Sequence, residues 1–294
     1  MQLSCLGAIA LLAGLGSQAM AEAPSPCRPA SLAVRVKGDR PMLDIAIDDR
    51  PAHMVLDTGT SQTLLLADAP ARLGLPAAAD HPPEQRLSYG KAFEVRFVRI
   101  RRIDFAGVTK TMADLPVATG GGTEAGVDGF FMDDRLQQAD FDFAGGRVDL
   151  YCDGAPAWIH GPDVFSVPLE DKSRLFGQAL VNGQAVRVLF DTGSPVSSMT
   201  LAAATRTGVP VGATSDAGEA GIGMDTPLRA WTTRIAGISL GGRVADAVPV
   251  EVVDKPNASA DMIAGFDFFL RHRVWIDRMG RRLVFRAGDD PHAF

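Results

Sequence analysis

The chain has 294 residues, 46% of them apolar and 22% charged, with a net charge of −6, so it can fill one large core or two ordinary ones. No long basic run accompanies that negative balance, which argues against nucleic acid and anionic membranes as partners. Aromatic content is 7%, and 31 glycines and 19 prolines punctuate the whole length, a spacing that suits many short strands better than a helical bundle.

The first 21 residues form a separate regime. They carry no charged side chain, run apolar from Leu6 to Leu15, and end with small residues at Ala19 and Ala21. This pattern predicts a cleaved secretory leader over 1–21, and hence an exported protein, periplasmic or secreted. Read instead as an anchor, the apolar run is shorter than the ~20 residues a membrane span needs. Cys5 leaves with the leader. Cys27 and Cys152 remain, an even pair that in an exported protein reads as a disulfide, two free thiols being the other reading. The five histidines have no metal-ligand spacing with one another or with the cysteines, so no metal and no cofactor is expected.

Two stretches then read almost alike: HMVLDTGTSQTLL around Asp57 and RVLFDTGSPVSSM around Asp191. Chance supplies a given tripeptide about 0.06 times in a chain of this length. The contexts match as well. A turn centre precedes each copy, at Asp49 and at Gly183. A Gly-apolar-Pro step follows each, at Gly74-Leu75-Pro76 and Gly208-Val209-Pro210. Gly90 and Gly223 then sit in corresponding polar stretches. RRIDFAGVTKTMADLPV answers TRIAGISLGGRVADAVPV, DGFFMDDRL answers DMIAGFDFFL, and FDFAGGRVDLY answers IDRMGRRLVFR. The repeat predicts an internal duplication of about 120 residues per copy.

Within each copy the pattern is mainly β. MLDIAIDD with PAHMVLD, and LFGQALVNG with QAVRVLFD, read as tight hairpins. LADAPARLG and TLAAATRTG read as short helices closed by glycine. EVRFVRIRRIDF alternates as a strand of one long hairpin, and YCDGAPAWIHGPDVF joins the copies.

Taken together, these residues resemble the aspartic proteases, most closely the retropepsin-like proteases of bacteria, with both halves fused in one chain as in pepsins. The resemblance covers nearly the whole chain after the leader. It implies an all-β fold of two homologous, β-barrel-like lobes, the first over 29–150, a linker over 151–163 and the second over 164–290. It further implies an aspartic endopeptidase that acts as a monomer with pseudo-twofold symmetry on a peptide or protein substrate. Asp57 and Asp191 would form the catalytic dyad, and Thr58 and Thr192 would interlock the two loops. Gly59 and Gly193 would allow close backbone approach, and Thr60 and Ser194 would place a hydroxyl beside each carboxylate. Tyr89 and Gly90, with Gly223 in the second copy, would belong to the flaps, although Tyr89 lies nearer its aspartate than the pepsin flap tyrosine does.

One position departs from the family. The second copy has the expected apolar-apolar-Gly at Ile263-Ala264-Gly265, whereas the first has Phe130-Phe131-Met132. A rival reading follows from it, that of a catalytically inactive protease-fold scaffold or peptide-binding protein. A second motif, GISLG with Ser239 as nucleophile, matches the elbow of α/β-hydrolases. A strand-like run follows it rather than a helix, so a hairpin turn is the expectation there. TGGGTEAG lacks the Lys-Ser/Thr of a phosphate loop, and Asn257 heads a sequon that matters only in a eukaryote.

Overall fold

The computed structural model describes residues 28–88, 91–120, 125–170, 173–212, 214–219 and 228–288. Each half opens on a hairpin whose strands alternate between core and solvent. Arg40–Ile47 pairs with Arg50–Leu56, and Phe176–Val181 with Gln184–Phe190. Two-residue turns close them. Asp48 and Asp49 both have positive φ (49° and 69°), as do Asn182 and Gly183 (48° and 78°), the geometry whose twist matches the flanking strands. Asp48 tolerates it because its carboxylate accepts the N–H groups of Arg101 and Arg102.

The duplication is visible in the sheets. In the first half the strand order is Glu84–Ser88, Lys91–Arg99, Asp114–Ala118, Leu64–Leu65, Gly129–Phe131, Arg50–Leu56, Arg40–Ile47, Arg102–Phe105, Val108–Thr111. The second half repeats that order strand for strand, from Thr214–Glu219 to Arg243–Ala245. A third, six-stranded sheet takes three strands from each half and is joined through the antiparallel pair Gln138–Asp142 and Arg273–Asp277. Aromatic contacts continue across that joint: Phe143 meets Phe266 edge-on at 4.9 Å, and Phe141 meets Phe269 at 5.7 Å. One hydrophobic core therefore runs through both halves.

The two short helices form where expected. Ala69–Leu73 ends at Gly74 (φ 56°), and Leu201–Thr207 starts on the Thr200 side chain, which accepts from Ala203 N–H, and ends at Gly208 (φ 69°). A third helix, Phe266–Arg271, follows Gly265; in the first half the corresponding segment is a single 3-10 turn, Asp134–Gln137. Ser239 lies in the strand Ile238–Leu240, which turns at Gly241 and Gly242 into Arg243–Ala245. With no helix after it, the serine is not on a nucleophile elbow. The segment between the lobes holds one 3-10 turn, Ala157–His160, before Val164–Pro168 returns to the shared sheet. Cys27, Tyr89, Gly90 and Gly223 lie outside the described residues. No described helix is long and apolar enough to cross a membrane, and no metal-holding cluster occurs among the described residues.

Candidate active site

Each Asp-Thr-Gly begins where a strand leaves a parallel pair. Leu56 lies opposite Phe131 and Phe190 opposite Ala264, and the next N–H in each chain closes the ladder: Asp57 N–H donates to Phe131 C=O at 3.0 Å, Asp191 N–H to Ala264 C=O at 2.9 Å. Both aspartates are thereby fixed at the end of a buried strand, where the two ladders open toward each other.

The threonines cross between the halves. Thr58 N–H donates to the Thr192 hydroxyl and Thr192 N–H to the Thr58 hydroxyl, both at 3.0 Å. The hydroxyls in turn donate to Phe190 C=O (2.9 Å) and Leu56 C=O (2.6 Å). All four groups are buried, so every donor and acceptor is satisfied by the opposite half. The glycines complete the approach. A Cβ on Gly59 would lie 2.2 Å from the Asp191 carboxyl carbon, and one on Gly193 would lie 2.4 Å from that of Asp57. No larger residue fits at either position.

The carboxylates are held symmetrically. Oδ1 of Asp57 accepts from Gly59 N–H (2.7 Å) and Thr60 N–H (3.1 Å), and Oδ1 of Asp191 from Gly193 N–H (2.9 Å) and Ser194 N–H (3.2 Å). Here the expected role of Thr60 and Ser194 is corrected. Their hydroxyls donate to Gln62 C=O and Val196 C=O, both at 3.2 Å, so their backbone N–H groups serve the carboxylates instead. A hydroxyl has one proton to give, and the turn takes it. Burial first, then the negative charge of Asp191 and the hydrogen bond shared with it, hold the Asp57 carboxyl well above the usual carboxylate range, against the two N–H donors. One proton shared by two facing carboxyls is the arrangement that lets one act as base and the other as acid.

Support from behind was not read from the sequence. In the second half Gly265 N–H donates to the Ser197 hydroxyl (3.0 Å), which donates to Asp267 (2.7 Å). Phe266 and Asp267 N–H reach back to Ser194 and Pro195 C=O. Gly265 passes so close that a Cβ would sit 2.5 Å from the Val196 carbonyl carbon. In the first half Met132 occupies that place, and Thr63 grips it twice: the hydroxyl accepts from Met132 N–H (3.2 Å) and donates to Met132 C=O (2.9 Å). The methionine therefore alters the path after the strand without loosening the Asp57 loop. The signal was present: Thr63 and Ser197 stand at the same offset of 134 residues as Asp57 and Asp191.

Two family models match, each on one half. "Aspartyl protease" covers residues 43–129, and "gag-polyprotein putative aspartyl protease" covers residues 177–271. The chain belongs to the aspartic proteases. It is an aspartic-type endopeptidase of the bilobed kind. Among solved structures, the aspartic proteinase from Irpex lacteus superposes with a TM-score of 0.57 at 13% identity, over 91% of this protease and 100% of that chain, a likeness of fold. No curated protein sequence matches it significantly.

Proposed function

We propose that this protease cleaves peptide bonds through a water activated by Asp57 and Asp191 together. The observation that carries the reading is the mutual packing of the two loops, each carboxyl seated against the other's glycine and within hydrogen-bonding reach of its partner. The ionised carboxylate takes a proton from the water as its oxygen bonds to the scissile carbonyl carbon. The protonated carboxyl donates to the carbonyl oxygen. The diol then collapses: the amide nitrogen takes the proton from the newly protonated carboxyl as the C–N bond breaks and leaves as the amine, and a diol hydroxyl returns its proton to the other carboxylate, which restores the dyad. By the family resemblance, the hairpins built by Glu84–Ser88 with Lys91–Arg99 and by Thr214–Glu219 with Leu228–Ile235 would serve as the flaps over an extended substrate.

The lobes run over 29–150 and 164–290 with the connection at 151–163, and because one chain carries both half-sites the working unit is a monomer. Asp57→Asn and Asp191→Asn are each expected to lower turnover of a denatured protein substrate at least 10³-fold while the thermal unfolding transition persists. Near-normal turnover in either variant would refute the dyad. The inactive-scaffold alternative draws no support from Met132, since the donors to Asp57 are all in place.

The same reading includes export and a Cys27–Cys152 disulfide. Ala30 pairs with Leu150 in antiparallel register, which brings the chain after residue 150 alongside the chain that leads into residue 30. Non-reducing peptide mapping of protein recovered outside the cytoplasm is expected to find an N-terminus at Glu22 and a crosslinked pair of peptides. Two alkylatable thiols in that sample would rule the bond out.

A further inference from the structure

The two loops hold their carboxylates through matching backbone N–H donors, and one charged contact falls on the second loop alone. Arg40, at the start of the first-half strand Arg40–Ile47, donates from Nη1 to the carbonyl oxygen of Gly193 in the second catalytic loop. Its side chain is only 22% exposed, and an exposed carboxylate, that of Asp39, lies 4.0 Å from its Nε. The carbonyl of Gly193 and the N–H of Ser194 belong to one peptide unit, and that N–H donates to Asp191. A guanidinium on the oxygen polarises the whole unit and makes its N–H a stronger donor.

The duplicated position shows the contrast. Arg174 stands where Arg40 does, one repeat later, but its guanidinium turns to the Ser259 hydroxyl (3.0 Å) and over the Phe176 ring (5.1 Å). The Gly59–Thr60 peptide that serves Asp57 is thus not charged by the matching arginine.

We infer that Arg40 is a positioning residue that breaks the symmetry of the dyad, making Asp191 the ionised carboxylate and Asp57 the holder of the shared proton. The deeper burial of Asp57, 5% exposed against a half-buried Asp191, acts in the same direction. Of the charged groups packed near the pair, Asp39 sits beside Arg40, and Asp267 of the Phe266–Arg271 helix, held by Ser197 and with Arg271 near it, lies behind the Asp191 loop. The inference rests on the dyad reading and fails separately from it.

The test is the pH profile of kcat/KM for the full chain on an acid-denatured protein substrate, comparing wild type with Arg40→Met, Arg40→Lys and Arg174→Met. Losing the cation makes the first ionisation of the pair harder, so Arg40→Met is expected to move the acid limb up by about one pH unit. Arg40→Lys, which keeps the charge without the planar fork, should move it by less. Arg174→Met should leave both limbs in place. An unmoved acid limb in Arg40→Met overturns the inference. So does an equal shift in Arg174→Met. If Arg40→Met does not fold, a limb in Arg40→Lys identical to wild type overturns it on its own. Activity surviving in Asp57→Asn or Asp191→Asn would instead overturn the dyad.

Discussion

At the scale of single residues, the site is governed by which atom gives up its hydrogen. The hydroxyls of Thr60 and Ser194 are committed to carbonyls two residues on, so they cannot lower the carboxyl pKa values as hydroxyl donors would. Burial and like charge push the other way and raise Asp57. The alkaline limb of activity, where the last shared proton leaves, therefore lies above the ordinary carboxylate range. Replacing Thr60 and Ser194 together by alanine is expected to leave that limb within a few tenths of a pH unit, because the backbone donors remain. A displacement of about one unit in the kcat/KM profile would mean that the hydroxyls turn to the carboxylates when substrate binds.

At the scale of elements, each catalytic loop is a strand end clasped from behind by one hydroxyl. Thr63 and Ser197 satisfy buried N–H groups of the strands' continuation, at Met132 and Gly265. Removing either hydroxyl strands a buried donor, at a cost of about 1–3 kcal/mol. Thr63→Val and Ser197→Ala are expected to lose that much in urea unfolding. Ser197→Ala should also lose more turnover, since it frees Asp267 and the Phe266–Arg271 helix that leans on the Asp191 loop. Equal stability and turnover in both variants would make the clasps incidental. The first-half clasp grips a methionine on both its N–H and its C=O, which is how that half dispenses with both the glycine and the helix.

At the scale of the whole molecule, the lobes are joined by the six-stranded sheet and by a buried ion pair across its centre. Asp140, fully buried, accepts from Arg273 of the other half and from the Trp158 indole N–H of the connecting segment. A buried histidine limits the fold in acid. His272, at the end of the Phe266–Arg271 helix, is packed against Phe268 and Phe285; its Nδ1–H donates to Phe268 C=O and its Nε2 accepts from Arg243. Burial, with Arg243 and Arg271 adding to it, lowers its pKa from 6.5 to about 4. The unfolded chain therefore binds the proton first. The stability this neutral histidine contributes is complete above pH 6.5 and is lost as pH falls through about 4, on the order of 3 kcal/mol. The dyad has the opposite sign: the raised Asp57 favours the fold at low pH and ceases to as pH rises. His272→Gln keeps an acceptor for Arg243 and removes the titration. Urea unfolding between these two pH values is expected to show a smaller acid loss in the variant, and an unchanged slope would acquit His272.

The sequence by itself determined the duplication, the hairpins with their turns, the glycine-closed helices and the identity of the facing aspartates. These are local or repeated patterns: alternation fixes a strand's faces, positive φ selects turn residues, and a doubled motif needs no geometry to be seen. Only the tertiary structure decided how the second half contacts the first. The direction of a hydroxyl's single hydrogen at Thr60 and Ser194, the clasp of Thr63 on Met132, and the diversion of Arg40 to Gly193 while Arg174 turns to Phe176 depend on atoms far apart in the chain. The fate of Met132 is the plainest case. As a sequence it reads as a lost glycine, yet the chain after it turns into a 3-10 segment and never makes the close pass that Gly265 makes. Whether a side chain fits is set by the backbone that lies beside it, and that backbone comes from residues a motif does not contain.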